Sequence, residues 1–225
     1  MKVKGKISEI FQSLQGEGLY LGERQLFVRF FGCNLSCDFC DTKLESFRVY
    51  NPEELLAEIE RDMNGFHSIS FTGGEPLLQK DFLREILVLT RKKGYRNYLE
   101  TNGTHPESLE EVIDNLDIIA MDLKFPSSTG MDNFWDIHHR FLKIASLKEV
   151  FLKAVVSEAT SEKDLREGIK LIKEIDNDLV LVLQPNSLED YFRIEEKIES
   201  FRDICLSEDI NSCIIPQMHK LIGIK

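Results

Sequence analysis

The chain has 225 residues, 42% hydrophobic and 30% charged, with a formal net charge of -11 at pH 7. That supports one domain over residues 1–225 with a sizeable core, and the acidic balance counts against a nucleic-acid partner, whose proteins present a basic face. No apolar run is long enough to span a bilayer and no signal peptide is visible, so no membrane partner is expected; five cysteines, three of them clustered, do not form a secreted disulfide pattern, and a reducing, cytoplasmic compartment is expected.

In chain order, Lys4 to Phe11 alternates as an edge strand. Phe11-Gln12-Ser13-Leu14-Gln15-Gly16-Glu17-Gly18 follows as a polar loop whose glycines admit close approach by a ligand. Leu26 to Phe31 is a strand, apolar on both faces except at Arg29. A guanidinium there is costly unless paired. One reading pairs it with a structural carboxylate, Glu17 or Glu100. The other makes it a two-pronged clamp for a ligand carboxylate, which the neighbouring cysteine loop favours.

Next come Gly32-Cys33-Asn34-Leu35-Ser36-Cys37-Asp38-Phe39-Cys40-Asp41-Thr42. Helices are expected from Asn51 to Asp62, capped by Asn51 with Pro52 in the first turn, and from Asp81 to Lys93, ending at Gly94. Further helices are expected over Glu107–Asn115, Asn133–Ser146, Ser161–Ile175 and Leu188–Arg202. Strands are expected over Ser68–Phe71, Asn97–Glu100, Asp117–Met121, Glu149–Val156 and Leu179–Leu183. The tail from Ile214 starts as a short strand and carries Gln217-Met218-His219-Lys220. Strand then helix, repeated, argues for parallel βα units. Their tips are polar: Thr72 to Glu75, Glu100 to Asn102, Asp122 to Lys124 and Gln184 to Asn186. Chemistry gathers at the carboxyl ends of such strands, so these tips are predicted to ring one mouth. In Gly73-Gly74-Glu75-Pro76 the glycines let backbone lie against a ligand, and Glu75 offers a carboxylate to an ammonium group.

Cys33, Cys37 and Cys40 fall within one short loop, and Cys205 and Cys213 lie far away as packing thiols. Structural zinc sites and plain ferredoxin clusters take four protein ligands. Three suggest a 4Fe-4S cluster with an open iron, although a zinc loop with His67 or His105 as fourth ligand is an alternative. The Cys-x3-Cys-x2-Cys run resembles the signature of the radical S-adenosylmethionine (SAM) superfamily, and Gly73-Gly74-Glu75-Pro76 matches that superfamily's tip for the SAM amino group.

The wider pattern resembles the 7-carboxy-7-deazaguanine synthase family over nearly the whole chain. The resemblance is carried by residues 11–18, Phe27-Val28-Arg29, Cys40-Asp41-Thr42, residues 72–76, Glu100-Thr101-Asn102-Gly103, Gln184-Pro185 and residues 217–220. It implies an incomplete TIM-like parallel α/β barrel of the partial β6/α3 type, about six strands with few outer helices. It implies a lyase of queuosine and archaeosine biosynthesis that turns 6-carboxy-5,6,7,8-tetrahydropterin into 7-carboxy-7-deazaguanine with loss of ammonia. There the adenosyl radical takes hydrogen from the carbon bearing the carboxylate, the ring contracts, and SAM is regenerated. By position, Cys33, Cys37 and Cys40 would hold the cluster and Thr42 a magnesium ion. Phe39, Asp41, Gly74, Glu75, Thr101, Asp122, Lys124, Gln184 and Asn186 would hold SAM. Leu14, Gln15, Gly16, Arg29 and Thr72 would hold the pterin, Arg29 at its carboxylate. A homodimer and an external flavodoxin- or ferredoxin-like electron donor are implied as well. Asp122-Leu123-Lys124 departs from the Ser-Pro-Lys of some relatives. Two other functions compete: a glycyl-radical enzyme activase, which has no need of the Gln15 loop with Arg29, and a non-catalytic iron-sulfur or zinc module, which leaves the fourth ligand unexplained.

Overall fold

A computed structural model describes residues 3–42, 44–62 and 65–223; the last two positions of the predicted tail lie outside them. One nine-stranded sheet runs through the chain. Its strands are β1 (Gly5–Leu14), β2 (Arg24–Phe30), β3 (Arg48–Tyr50), β4 (Ser68–Gly73), β5 (Asn97–Thr101), β6 (Ile118–Asp122), β7 (Glu149–Val156), β8 (Leu181–Pro185) and β9 (Ser212–Ile214). Their order is β3-β1-β2-β4-β5-β6-β7-β8-β9. From β2 through β4 to β9 every neighbour is parallel, while β1 and β3 are antiparallel additions at one end.

Parallel neighbours need a crossover, and each crossover here carries a helix. These are α1 (Pro52–Asp62), α2 (Lys80–Lys92), α3 (Pro106–Val112), α4 (Pro126–Thr129) with α5 (Trp135–Ala145), α6 (Glu162–Ile175) and α7 (Tyr191–Ser207); α8 (Met218–Ile222) closes the described chain. The expected parallel α/β class is observed, with more helical cover than the three-helix form. The reason is the outer sheet face. Val28, Phe30, Phe71, Leu99, Ile119, Leu152 and Leu181 are all buried there in the main core with Phe82, Phe141 and Ile172 from the helices.

The inner face follows from the two-residue alternation of a strand. Tyr98, Ile118, Ala120, Phe151 and Val182 form a second, smaller core, with Tyr20 packed on it, near the strand beginnings. Further along the same face the alternation sets Glu100, Asp122, Lys153 and Gln184. Apolar residues thus plug one end of the concave face and polar ones line the other.

Several local expectations hold in detail. Asn51 and Glu54 form a reciprocal capping box before α1, Asn51 Oδ1 accepting from Glu54 N at 2.9 Å and Glu54 Oε2 from Asn51 N at 3.0 Å. Ser161 caps α6 through Asp164 N at 3.2 Å. Others shift. Phe11 to Leu14 is strand rather than loop, because it pairs with Arg24 to Phe27 and the turn begins only at Gln15. The last long helix starts at Tyr191, since Asn186 caps a preceding turn and Asp190 caps the helix. The short β3 and α4 were not expected, each being too brief for a periodic signal. Among the described residues no helix is long and apolar enough to cross a membrane.

Candidate active site

The carboxyl ends of the parallel strands surround a cavity of about 610 Å³. Cys33, Cys37, Cys40 and Thr42 line it with Phe39, Asp41, Gly74, Thr101, Asp122 and Lys124. Gln184, Asn186, Leu14, Gln15, Gly16, Arg29 and Thr72 complete the residues singled out from the sequence. Glu75 alone among them does not line it.

The local chain explains both facts. Gly74 N donates to Phe30 O at 3.1 Å and Glu75 N to Gly32 O at 2.8 Å, so the β4 tip lies along the entrance to the cysteine loop. Gly73 has φ +130°, and a Cβ there would overlap the Phe30 backbone; one on Gly74 would overlap the Gly32 carbonyl. These glycines serve an approach of chain to chain as well as leaving backbone on the cavity wall. The Glu75 side chain turns inward, fully buried. It accepts from Leu77 N at 3.0 Å, Asn102 N at 2.8 Å and Thr101 Oγ1 at 3.0 Å. It ties the β4 tip to the β5 tip, its carboxylate taken up by internal donors.

Burial pushes the Glu75 carboxyl up to about 7, against the pull of its backbone donors. Between the ordinary carboxyl range and that value the folded chain keeps a proton that the unfolded chain releases, so this group lowers stability as pH rises through the window. The stability of the native chain relative to Glu75→Gln should therefore fall between pH 5 and pH 7.5. Denaturant midpoints at both pH values check it; a constant difference would remove the buried carboxyl from the account.

Arg29 sits between Glu9 on β1 and Thr72 on β4. Its Nε lies 3.4 Å from Glu9 Oε2 and its guanidinium 5.5 Å from the Phe11 ring centroid, with Phe11 stacked on Phe27 at 5.0 Å. Neither Glu17 nor Glu100 is its partner. Glu100 instead accepts from Gln15 Nε2 at 2.8 Å and Thr72 Oγ1 at 2.6 Å. Gln15 also donates to Gln25 Oε1 at 3.0 Å. Amide, hydroxyl and carboxylate thus make a fixed polar wall beside the guanidinium.

A chain of alternating charge crosses the floor. Lys153 Nζ is 2.9 Å from Glu17 Oε2 and 3.4 Å from Asp122 Oδ1, and Lys124 Nζ is 2.9 Å from Asp122 Oδ2. Burial would raise the Glu17 carboxyl, but Lys153 and Gln217 hold it below the ordinary range. Burial would lower the Lys153 ammonium, but Asp122 and Glu17 hold it well above. Lys124 also lies over the Phe39 ring at 5.2 Å.

The tail roofs the cavity. Gln217 Nε2 donates to Glu17 Oε1 at 2.6 Å, Met218 N to Gly16 O at 2.9 Å, and Lys220 pairs with Asp41 while donating to Ser187 Oγ at 2.6 Å. His219 packs on Gly16, where a Cβ would overlap its ring. Glu9, Lys153, Gln217 and His219 are lining residues to which the sequence assigned no ligand role, while Glu17, expected as a partner for Arg29, pairs with Lys153, and Asn102 takes its expected place at the mouth. Lys153 carried a usable signal, a lone charge in an apolar strand, as Arg29 did. The tail carried none beyond its resemblance.

The donor set fits a cluster better than zinc. The three thiols share one cavity, and among the described residues no group of three or more His, Cys, Asp or Glu side chains is close enough to hold a single metal ion. His67 is occupied at the other end of the strands, with Arg96 Nη1 at 2.7 Å and Ser68 Oγ at 3.1 Å, and His105 begins α3 outside the cavity.

The chain matches the model of the Radical SAM superfamily over residues 27–183. It is 37% identical to 7-carboxy-7-deazaguanine synthase of Geobacter sulfurreducens, across 99% of this chain and 98% of that one. It is 32% identical to the Methanopyrus kandleri protein of the same name, across 96% and 92%. Among solved structures it resembles QueE from Escherichia coli, with a TM-score of 0.68 and 24% identity over 94% and 93% of the two chains. It also resembles TYW1 with a lysine-pyruvate adduct bound, with a TM-score of 0.54 and 14% identity over 80% and 73%. These two likenesses concern the fold.

Proposed function

The chain belongs to the radical SAM superfamily and, within it, to the 7-carboxy-7-deazaguanine synthases, and from that premise we propose that it converts 6-carboxy-5,6,7,8-tetrahydropterin to 7-carboxy-7-deazaguanine with loss of ammonia. Family membership makes it a radical SAM lyase of deazapurine biosynthesis, a class that carries a 4Fe-4S cluster and SAM. The observation that carries the substrate assignment is the placement of Arg29, paired with Glu9, beside the Gln15–Glu100–Thr72 wall in the cavity lined by the three cysteines.

Cys33, Cys37 and Cys40 would hold the cluster, whose open iron, with SAM bound, supplies a 5′-deoxyadenosyl radical. Gly74 presents backbone toward the SAM amino acid, and Thr101, Asp122, Lys124, Gln184 and Asn186 offer polar groups to the rest of it. Arg29 suits a carboxylate, its guanidinium offering a planar fork of donors while Glu9 compensates the partly buried charge. Leu14, Gln15, Gly16 and Thr72 hold the flat heterocycle over Phe11 and Phe27. Thr42 would give its hydroxyl to a magnesium ion that keeps several waters and takes the substrate carboxylate. Lys153, Glu17 and Asp122 fix the floor, so the polar groups are oriented before the ligand arrives. An external flavodoxin- or ferredoxin-like donor and a homodimeric assembly complete the proposal.

The test is anaerobic reconstitution, then incubation with SAM, reductant, magnesium and the carboxypterin. A deazapurine chromophore is the expected product. SAM cleavage on an intact cluster with no deazapurine would overturn the substrate assignment and leave the family membership standing.

A further inference from the structure

Asn102, at the tip of β5, has every hydrogen-bonding group committed. Its N–H donates to Glu75 Oε2 at 2.8 Å, and its carbonyl accepts from His138 Nε2 at 3.2 Å. Its side-chain oxygen accepts from Thr104 N at 3.0 Å and Thr104 Oγ1 at 2.6 Å. Its side-chain nitrogen has two hydrogens to give. One partner is Asn34 Oδ1 at 2.9 Å; the other is Cys33 Sγ at 3.9 Å. Asn34 in turn donates to Thr104 Oγ1 at 3.0 Å, which closes a ring of side chains around the start of the cysteine loop.

The outer supports of this ring are buried. Asn102 is 5% exposed, and His138 is fully enclosed between β5 and α5. Enclosure holds the imidazole down at about 4, so it stays neutral, with its proton on the nitrogen facing the Asn102 carbonyl. The three thiols are not equivalent. Cys33 Sγ receives Leu35 N at 3.4 Å as well as the Asn102 amide, whereas among the described residues no N–H donor reaches the sulfur of Cys37 or Cys40.

We propose that Asn102 is a positioning residue for the cluster: its side-chain amide donates to the Cys33 thiolate, orients that ligand, and raises the cluster's reduction potential. Hydrogen bonds to cluster sulfurs are one of the protein's levers on that potential, because a donor dipole offsets the negative charge added on reduction. The polar ring makes the donor available at no cost of reorientation, since each of its other groups is already held. The inference rests on the cluster being carried by the three cysteines.

Two measurements on the anaerobically reconstituted full chain test it. In protein labelled with 15N at asparagine side chains and free of SAM, pulsed EPR of the reduced cluster should show a weak 15N coupling. Asn102→Ala should abolish that coupling and shift the midpoint potential downward at unchanged iron and sulfide per chain. Asn34→Ala, which leaves the Cys33 donor in place, should keep the coupling. Absence of the coupling in the native chain overturns the proposal without any variant needing to fold. So does an Asn102→Ala protein that keeps the native potential, or one that loses iron while its remaining cluster titrates as native, since a merely structural role predicts both. A native chain that takes up no cluster would instead defeat the reading of the cysteines.

Discussion

Arg29→Ala should cut pterin turnover by orders of magnitude while leaving cluster content and uncoupled SAM cleavage intact. The guanidinium is partly buried against Glu9 and Phe11, on the cavity side of β2. Removing one member of a buried charged pair costs about 3–5 kcal/mol, mostly because the other is left uncompensated. With Arg29 in the proposed role of holding a ligand carboxylate, that is the pair removed, and kcat/KM should fall by roughly 10²–10⁴-fold. Arg29→Lys should recover only part of this, since an ammonium is a point charge and lacks the fork. Steady-state kinetics with the carboxypterin, alongside iron analysis and 5′-deoxyadenosine counts, separate the outcomes. Loss of iron in Arg29→Ala would make the residue structural, paired with Glu9 for the sake of the sheet.

Gly74→Ala should do the opposite: it should damage the scaffold first and chemistry as a consequence. A Cβ at this position would overlap the Gly32 carbonyl and crowd the Cys33 nitrogen. Backbone atoms cannot swing aside as a side-chain tip can. The β4 tip would have to lift, loosening the bonds from Gly74 N to Phe30 O and from Glu75 N to Gly32 O. Overpacking and the two weakened bonds together should cost roughly 2–5 kcal/mol, a fall in Tm of about 5–15 °C for a chain of this size. SAM affinity should be lost with it, because the same displacement moves the cysteine loop. A variant that melts and binds SAM as the native chain does would show that the tip tolerates the shift.

The sequence carried much of the fold and of the site, for a physical reason. Strands that are buried on one face and line a ligand on the other announce themselves by alternation. In β2, Leu26, Val28 and Phe30 go to the core, while Phe27 and Arg29 face the cavity. In β6 and β7, Asp122 and Lys153 continue the inner face of Ala120 and Phe151. A charge in such a strand is legible because it is costly anywhere else. What escaped reading was pairing across long separations. That Arg29 meets Glu9 depends on the register of an antiparallel strand expected to end earlier. That Glu75 turns inward depends on a neighbour, the β5 tip, supplying two of its three donors, Thr101 Oγ1 and Asn102 N. Short elements such as α4 escaped because four residues hold no period.

The tail that covers the cavity bonds to a loop at the other end of the polypeptide: Gln217 to Glu17 spans 200 positions. During synthesis the amino-terminal part emerges first, at about 5–20 residues per second. The cysteine loop therefore leaves the ribosome long before its roof has been made. Every strand that lines the cavity precedes Gln217 in the chain, so the covering segment is made only after the walls it closes over.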